Sequence, residues 1–82
     1  MGRPKGLAVG RNGEVYVADS WLNTILVFEA SGKPLAVLVD EEGRSLDLGS
    51  PNGIALGADN RIYIAERLSG RLQIREILDG AR

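Results

Sequence analysis

The strongest constraint in this sequence is an internal repeat, because a segment near its beginning recurs 47 positions later without a gap. Conservative apolar pairs fill the positions between the identical ones. A chain with two copies of one unit is predicted to fold as a repeat protein, whose neighbouring units bury each other's apolar faces. The identical pairs include Pro4 and Pro51, Gly6 and Gly53, Ala8 and Ala55, Gly10 and Gly57, Tyr16 and Tyr63, and Ala18 and Ala65.

Each unit has the pattern of a β-meander, since short runs of β-forming residues are separated by turn sequences. In the first unit, Asn12-Gly13 stands where a hairpin turn needs residues with positive φ. No helix is predicted, and the second unit has too few residues for a complete fourth strand. The predicted strands are 7–9, 14–19, 24–29 and 34–39 in the first unit, and 54–56, 61–66 and 71–76 in the second.

Two predicted strands of the first unit are apolar on both faces, at residues 25–28 and 35–39. Such strands need one layer above and one below, which stacked sheets supply in a β-propeller. We therefore predict an all-β fold of two antiparallel four-stranded propeller blades, the second truncated. The first blade and its connecting loop take residues 1–47, and the second blade takes residues 48–82.

The third strand of the second unit has a different pattern. Leu72 and Ile74 alternate there with Arg71, Gln73 and Arg75. This alternation predicts that one face of the second sheet is exposed to solvent, or at least polar.

The composition argues against several classes of function. The 82 residues include no cysteine and no histidine, which removes disulfides, thiolate chemistry and imidazole bases. A net charge of -1 argues against electrostatic binding to nucleic acid or to a membrane surface. No apolar run has the length of a membrane helix or of a signal peptide core, and no compartment is indicated.

The first unit resembles the NHL repeat through residues 4–9, 12–20 and 23–28 and through Gly32. The resemblance implies a β-propeller, most often six-bladed, in which each repeat forms one four-stranded blade. The second unit fits at residues 51–56 and 62–66. It departs from the family where Glu66-Arg67 replaces an Asp-Ser pair and Gly70 replaces an Asn.

The second unit also resembles the calcium-dependent gluconolactonase and paraoxonase-like propellers, through residues 50–55 and 63–71. In that group an Asn at the place of Asn52 helps to hold a central calcium ion. The resemblance thus implies, as an alternative function, a fragment or assembly of a lactonase or arylesterase-like hydrolase. Calcium is the one cofactor expected under this alternative, but the favoured account of Asn52 is a turn residue before a glycine at the entry of an inner strand.

The leading interpretation is a non-catalytic propeller module that acts as a scaffold or as a protein-interaction surface. It follows from the lack of a nucleophile paired with a base, and we assign no catalytic, cofactor or metal residue. In a propeller, the loops that enter the inner strands and those that join second to third strands gather at one end. The candidate partner-facing residues are Trp21, Leu22, Asn23, Asn52, Arg67, Leu68 and Ser69.

Two further readings concern charged residues. Asp19 and Glu66 end equivalent strands, and we expect them to accept hydrogen bonds from the turns that follow, not to form an acid–base pair. The arginines of the second unit leave RNA binding as a second alternative. Interleaved acidic residues and the small number of aromatic side chains argue against it.

Two blades do not complete a propeller, because each blade needs neighbours on both faces. Copies of the chain are one expected partner, and three copies would give six blades. The remaining blades of a longer parent chain, or a different protein, are the others.

Overall fold

The computed structural model describes residues 2–40, 42–44, 46, 48–58 and 60–77. These residues form strands and turns, and none of them belongs to a helix of the length and apolar character that crossing a membrane requires. The first sheet contains β1 (Pro4–Val9), β2 (Val15–Asp19), β3 (Thr24–Phe28) and β4 (Pro34–Val37). The second contains β5 (Pro51–Leu56), β6 (Arg61–Glu66) and β7 (Leu72–Glu76).

Both sheets are antiparallel meanders with their strands in sequence order, which confirms the predicted all-β fold. The first strand of each sheet begins earlier than predicted, at Pro4 and at Pro51. In both, the register with the next strand shifts immediately afterwards, before Gly6 and before Gly53. Proline and glycine are poor β-formers, so pairing with the neighbouring strand overrides local propensity here.

The repeat seen in the sequence is also present in the backbone angles. Asn23 and Gly70 occupy the same turn position and have φ of 55° and 68°. Gly13 and Asn60 are a second such pair, at 86° and 61°. Asn and Gly both tolerate this left-handed region, which explains how the two units exchange them. The expectation of positive φ at Asn12 was wrong, because the turn opens at Gly10, whose carbonyl accepts from the Gly13 N–H, and only its last residue is left-handed.

The core lies between the two sheets. One face of the first sheet packs against one face of the second, with Leu38, Leu46, Leu48 and Ile77 closing the rim. The opposite face of each sheet has no layer over it within the described residues. The burial expected on both faces at residues 25–28 is met by Ile25 and Val27 on the core face, whereas Leu26 and Phe28 on the opposite face are half-buried. The same expectation for residues 35–39 was wrong for Leu35 and Val37, which are exposed because no further sheet of the described residues covers β4. The packed side chains are Tyr16, Ala18, Ile25 and Val27 from the first sheet, and Ile54, Leu56, Ile62 and Ile64 from the second.

One face of β7 is polar, as predicted, but the apolar face of the strand is the one more exposed to solvent. Gln73 and Arg75 pair with Ile64 and Ile62, and therefore share the face that points towards the first sheet. The Gln73 amide donates to Glu66 Oε2 at 2.7 Å, and Arg75 Nε donates to Gln73 Oε1 at 3.0 Å. The apolar side chains of this strand lie on the outer face instead. The alternation marks a hydrogen-bonded network at the sheet contact, not a solvated face.

The closest approach between the sheets is made by their inner strands, β1 and β5. A Cβ atom at Gly6 would lie 3.0 Å from the Asn52 carbonyl oxygen and 3.2 Å from the Cα of Gly53. Only glycine allows this contact. We call this contact between the two sheets the seam. At one end of the seam, Arg11 Nη2 donates to the Ala58 carbonyl oxygen at 2.7 Å.

Removing buried volume at the seam is expected to destabilise the chain. Ile64 is 0% exposed, and Ile64→Ala should lower the free energy of unfolding by about 2–5 kcal/mol, because it removes apolar burial and leaves a cavity. Urea denaturation followed by circular dichroism measures the change. Leu68→Ala is the control, because Leu68 is exposed, and its effect should stay within about 0.5 kcal/mol. Equal losses for both variants would contradict the assigned core.

Candidate functional site

The structure brings the predicted partner-facing residues to one end of the two sheets. The β2–β3 turn and the β6–β7 turn both lie at this end, which we call the loop end. Asn52 lies there too, because the neighbouring Pro51 pairs with Glu66, the last residue of β6. The residues from the turns are Trp21, Leu22, Asn23, Arg67, Leu68 and Ser69.

Large apolar side chains of the loop end are exposed to solvent. Trp21 is 70% exposed and Leu68 is 79% exposed, and the two occupy equivalent positions of the repeat. Leu22, next to Trp21, is also exposed. Side chains of this kind are enriched where one protein binds another.

Asp19 holds the first of these turns. Its buried carboxylate accepts hydrogen bonds from the backbone N–H groups of Trp21 and Leu22, at 2.9 and 3.0 Å. It also accepts from Gly2 N at 2.8 Å and from Arg3 N at 3.2 Å. Burial by itself would raise the pKa of Asp19, but the four N–H donors outweigh burial and hold the pKa below its ordinary value. This is the structural role expected for the residue.

Glu66 holds the corresponding turn of the second sheet by accepting hydrogen bonds from a different set of donors. Gly49 N donates to Oε2 at 3.1 Å, which repeats the contact between Gly2 and Asp19. The other donors are side chains: the Ser69 hydroxyl at 2.6 Å, Arg71 Nε at 3.1 Å and the Gln73 amide. The Ser69 hydroxyl, followed by Gly49 N, outweighs desolvation and lowers the pKa of Glu66 from 4.5 to about 2.

Further hydrogen bonds fasten the two turns to the segment that joins the sheets. Ser50 N donates to Asn23 Oδ1 at 3.1 Å, which ties the first turn to the start of the second unit. Arg67 N donates to the Ser50 carbonyl at 3.0 Å, and Leu68 N donates to the Gly49 carbonyl at 3.3 Å. The exposed side chains therefore stand on a backbone that is hydrogen-bonded on several sides.

A cleft of about 390 Å³ lies at the opposite end, between the β1–β2 and β5–β6 turns. Val9, Tyr16, Leu56 and Ile77 form its apolar wall, and the Glu14 carboxylate adds a charge. Sequence reasoning assigned no site here. The repeat offset could have indicated that the two turns lie side by side here. Arg11 and Ala58, which form a hydrogen bond at this end, are equivalent positions of the repeat.

The described residues include no group of three or more acidic side chains placed to hold a metal ion. Asn52 is exposed on β5. Its role as a calcium ligand at a ring axis, implied by the lactonase resemblance, stays a prediction.

The two buried carboxylates make stability depend on pH. Because the pKa of Glu66 is about 2 in the folded chain and the ordinary value is 4.5, its contribution is complete above pH 4.5 and is lost as the pH falls towards 2. Asp19 acts in the same direction. Urea denaturation across this range should show a falling free energy of unfolding, with a shallower slope for Glu66→Gln.

Glu76→Gln is the matched control, because Glu76 is exposed near the end of β7. It should keep the slope of the original chain. A slope that Glu66→Gln leaves unchanged would contradict the role assigned to this carboxylate.

Comparison with known families gives one match, to the NHL repeat over residues 1–28. This segment contains β1, β2 and β3, and the match confirms the resemblance drawn from the first unit. No curated protein is significantly similar to the chain, and the lactonase resemblance gains no support. Residues 1–28 are therefore identified as an NHL repeat, the blade unit of β-propellers, and the second sheet repeats the strand order of β1 to β3 in its three described strands.

Proposed function

We propose that this chain is a non-catalytic β-propeller module that binds a protein partner, or scaffolds several, through its loop end. The observation that carries the proposal is the pair of exposed apolar side chains at equivalent positions, Trp21 and Leu68. Both stand on turns that a buried carboxylate holds in place. A surface that is already ordered loses little conformational entropy on binding, which favours affinity.

The charges around these side chains suggest the chemistry of the partner. Arg67 is exposed at the loop end, and Arg71 remains 62% exposed although it pairs with Glu66. The Glu66 and Asp19 carboxylates are buried and turned towards their donors. The partner segment that fits this surface carries apolar side chains flanked by carboxylates.

The module is further proposed to work as part of a larger propeller. Each blade has one covered and one open face, so other blades are needed to cover the rest of the apolar surface. The module needs no cofactor for this role. Calcium belongs only to the hydrolase alternative.

Loss of the tryptophan should weaken binding most. Peptides with apolar and acidic residues, selected for binding to the chain from a displayed library, should bind Trp21→Ala at least about tenfold more weakly, because aromatic side chains dominate such interfaces. Titration calorimetry measures the affinity, and the fluorescence of the single tryptophan reports whether its environment changes.

Asn12→Ala is the control, because Asn12 is exposed in the β1–β2 turn at the opposite end. It should leave the affinity unchanged. Peptides that lose affinity for Asn12→Ala and keep it for Trp21→Ala would place the binding surface elsewhere.

Calcium separates the proposed function from the hydrolase alternative. Titration of the chain with calcium chloride should give no binding heat, and Asn52→Ala should behave like the original chain. Binding heat that disappears in Asn52→Ala would favour the alternative, because an Asn carbonyl oxygen is a suitable ligand for this cation.

A further inference from the structure

Two kinds of sheet face meet at the seam, and each of the two blades carries both kinds. Each blade has one face of small residues and tyrosine, which we call the small-residue face, and one face of larger aliphatic residues, which we call the aliphatic face. The small-residue faces carry Gly6, Ala8, Tyr16 and Ala18 in the first blade and Gly53, Ala55, Tyr63 and Ala65 in the second. The aliphatic faces carry Leu7, Val9, Val15 and Val17 in the first blade and Ile54, Leu56, Ile62 and Ile64 in the second.

Only one face of each blade is used within the chain. The small-residue face of the first blade packs against the aliphatic face of the second, where Ile62 and Ile64 are fully buried. The aliphatic face of the first blade has no sheet of the described residues packed on it: Leu7 is 64% and Val9 61% exposed, while Val17, between β1 and β3, is 5% exposed. The small-residue face of the second blade is open as well, and the side chains that extend it along β7, Leu72 and Ile74, are 62% and 53% exposed.

The two open faces are the two halves of one more seam. The four small-residue positions are identical in both blades, and the four aliphatic positions differ only by apolar exchanges. We propose that copies of this chain associate head to tail, with the small-residue face of the second blade packed on the aliphatic face of the first blade of the next copy. The contact between copies then reproduces the contact inside the chain.

Gly53 also fits this contact. Its counterpart Gly6 is required, because the backbone of β5 lies where a Cβ of Gly6 would stand. The corresponding space at Gly53 is open within the chain: its φ is not positive, and an added Cβ would meet only the Cβ of Ala65, at 3.9 Å. Glycine inside a strand marks either a register shift, which β5 has before Gly53, or a second backbone that approaches closely. The β1 strand of another copy would fill this place.

The outer parts of the open faces are also matched. On the first blade, Leu26, Phe28 and Val37 share the open face and line an apolar groove of about 450 Å³. On the second blade, Leu72 and Ile74 stand on the corresponding outer strand. Apolar side chains meet apolar side chains in the proposed contact, which removes exposed hydrophobic surface from water.

A contact between two different faces leaves one open face at each end of a pair of copies. Such an arrangement continues until it closes on itself. The resemblance to the NHL repeat implies six blades in most cases, and three copies of the two blades would supply them. The inference rests on the proposed role of the chain as part of a larger propeller, and not on the partner surface at the loop end.

The first measurement is the mass of the chain in solution. Light scattering coupled to size-exclusion chromatography should give three times the 8.8-kDa mass of one chain at micromolar concentration. A monomer that persists at high concentration would overturn the inference. Binding of the selected peptides is measured on the same samples, so that a failure of assembly and a failure of the loop surface are distinguished.

Blocking one face at a time tests the pairing of faces. Val9→Lys places a charge on the open face of the first blade, and Ile74→Lys does so on the second. Both positions are exposed within the chain, so each variant should fold and remain a monomer. Mixed in equal amounts, the two variants should form a one-to-one dimer, because one unmodified face of each kind remains. Ser31→Lys, in the exposed β3–β4 turn, is the control and should assemble like the original chain.

The alternatives give different results in this experiment. If two first-blade faces paired with each other, Ile74→Lys would keep the mass of the original chain. If two second-blade faces paired, Val9→Lys would keep it. Either result, or a mixture that stays monomeric, would overturn the head-to-tail arrangement.

Gly53→Val provides a second variant that separates assembly from folding. The side chain has room in the isolated chain, so Gly53→Val in the Ile74→Lys background should resist unfolding at least as well as the background itself. In the original background it should weaken assembly at least about tenfold, because the added carbons would meet the backbone of the next copy. Assembly that Gly53→Val leaves unchanged would contradict the proposed contact.

Discussion

The contact between the two inner strands is the constraint on which the rest of this structure depends. Because Gly6 has no side chain, the backbone of β5 can occupy the space that a Cβ atom would need, and the two sheets meet face to face. That approach brings Tyr16 and Ala18 against Ile62 and Ile64 and produces the buried core. Without it, each sheet would have two solvated faces and too little buried apolar surface to stay folded.

The buried carboxylates hold the turns of the loop end in fixed positions on the two sheets. Asp19 collects backbone N–H groups, whereas Glu66, one methylene longer, collects mainly side-chain donors. Equivalent turns are therefore held by different sets of hydrogen-bond donors. The set around Glu66 includes the side chains of Ser69 and Gln73, which explains why the second unit departs from the repeat motif at several positions at once.

The fold followed from the sequence to a large extent, because one offset related both units and their turn residues marked the strand ends. β6 begins and ends where the pattern indicated. The early starts of β1 and β5 were not predictable, since pairing overrides the poor propensities of proline and glycine. The alternation in β7 correctly indicated two unlike faces. It could not show which of these faces the rest of the chain covers. On the covered face, the Gln73 amide donates to Glu66, and Arg75 donates to Gln73. The residues of the loop end followed from the repeat, whereas the hydrogen bond between Arg11 and Ala58 depends on how closely the two turns approach.

That hydrogen bond also makes the two kinds of seam unequal. The counterpart of Arg11 in the second blade is Ala58, whose side chain has nothing to donate. Within one chain the Arg11 hydrogen bond adds to the apolar packing of the seam, while a seam between copies would lack this hydrogen bond. A ring of such units would have alternating strong and weak joints. It would separate into intact two-blade pieces before any blade came away from its own chain.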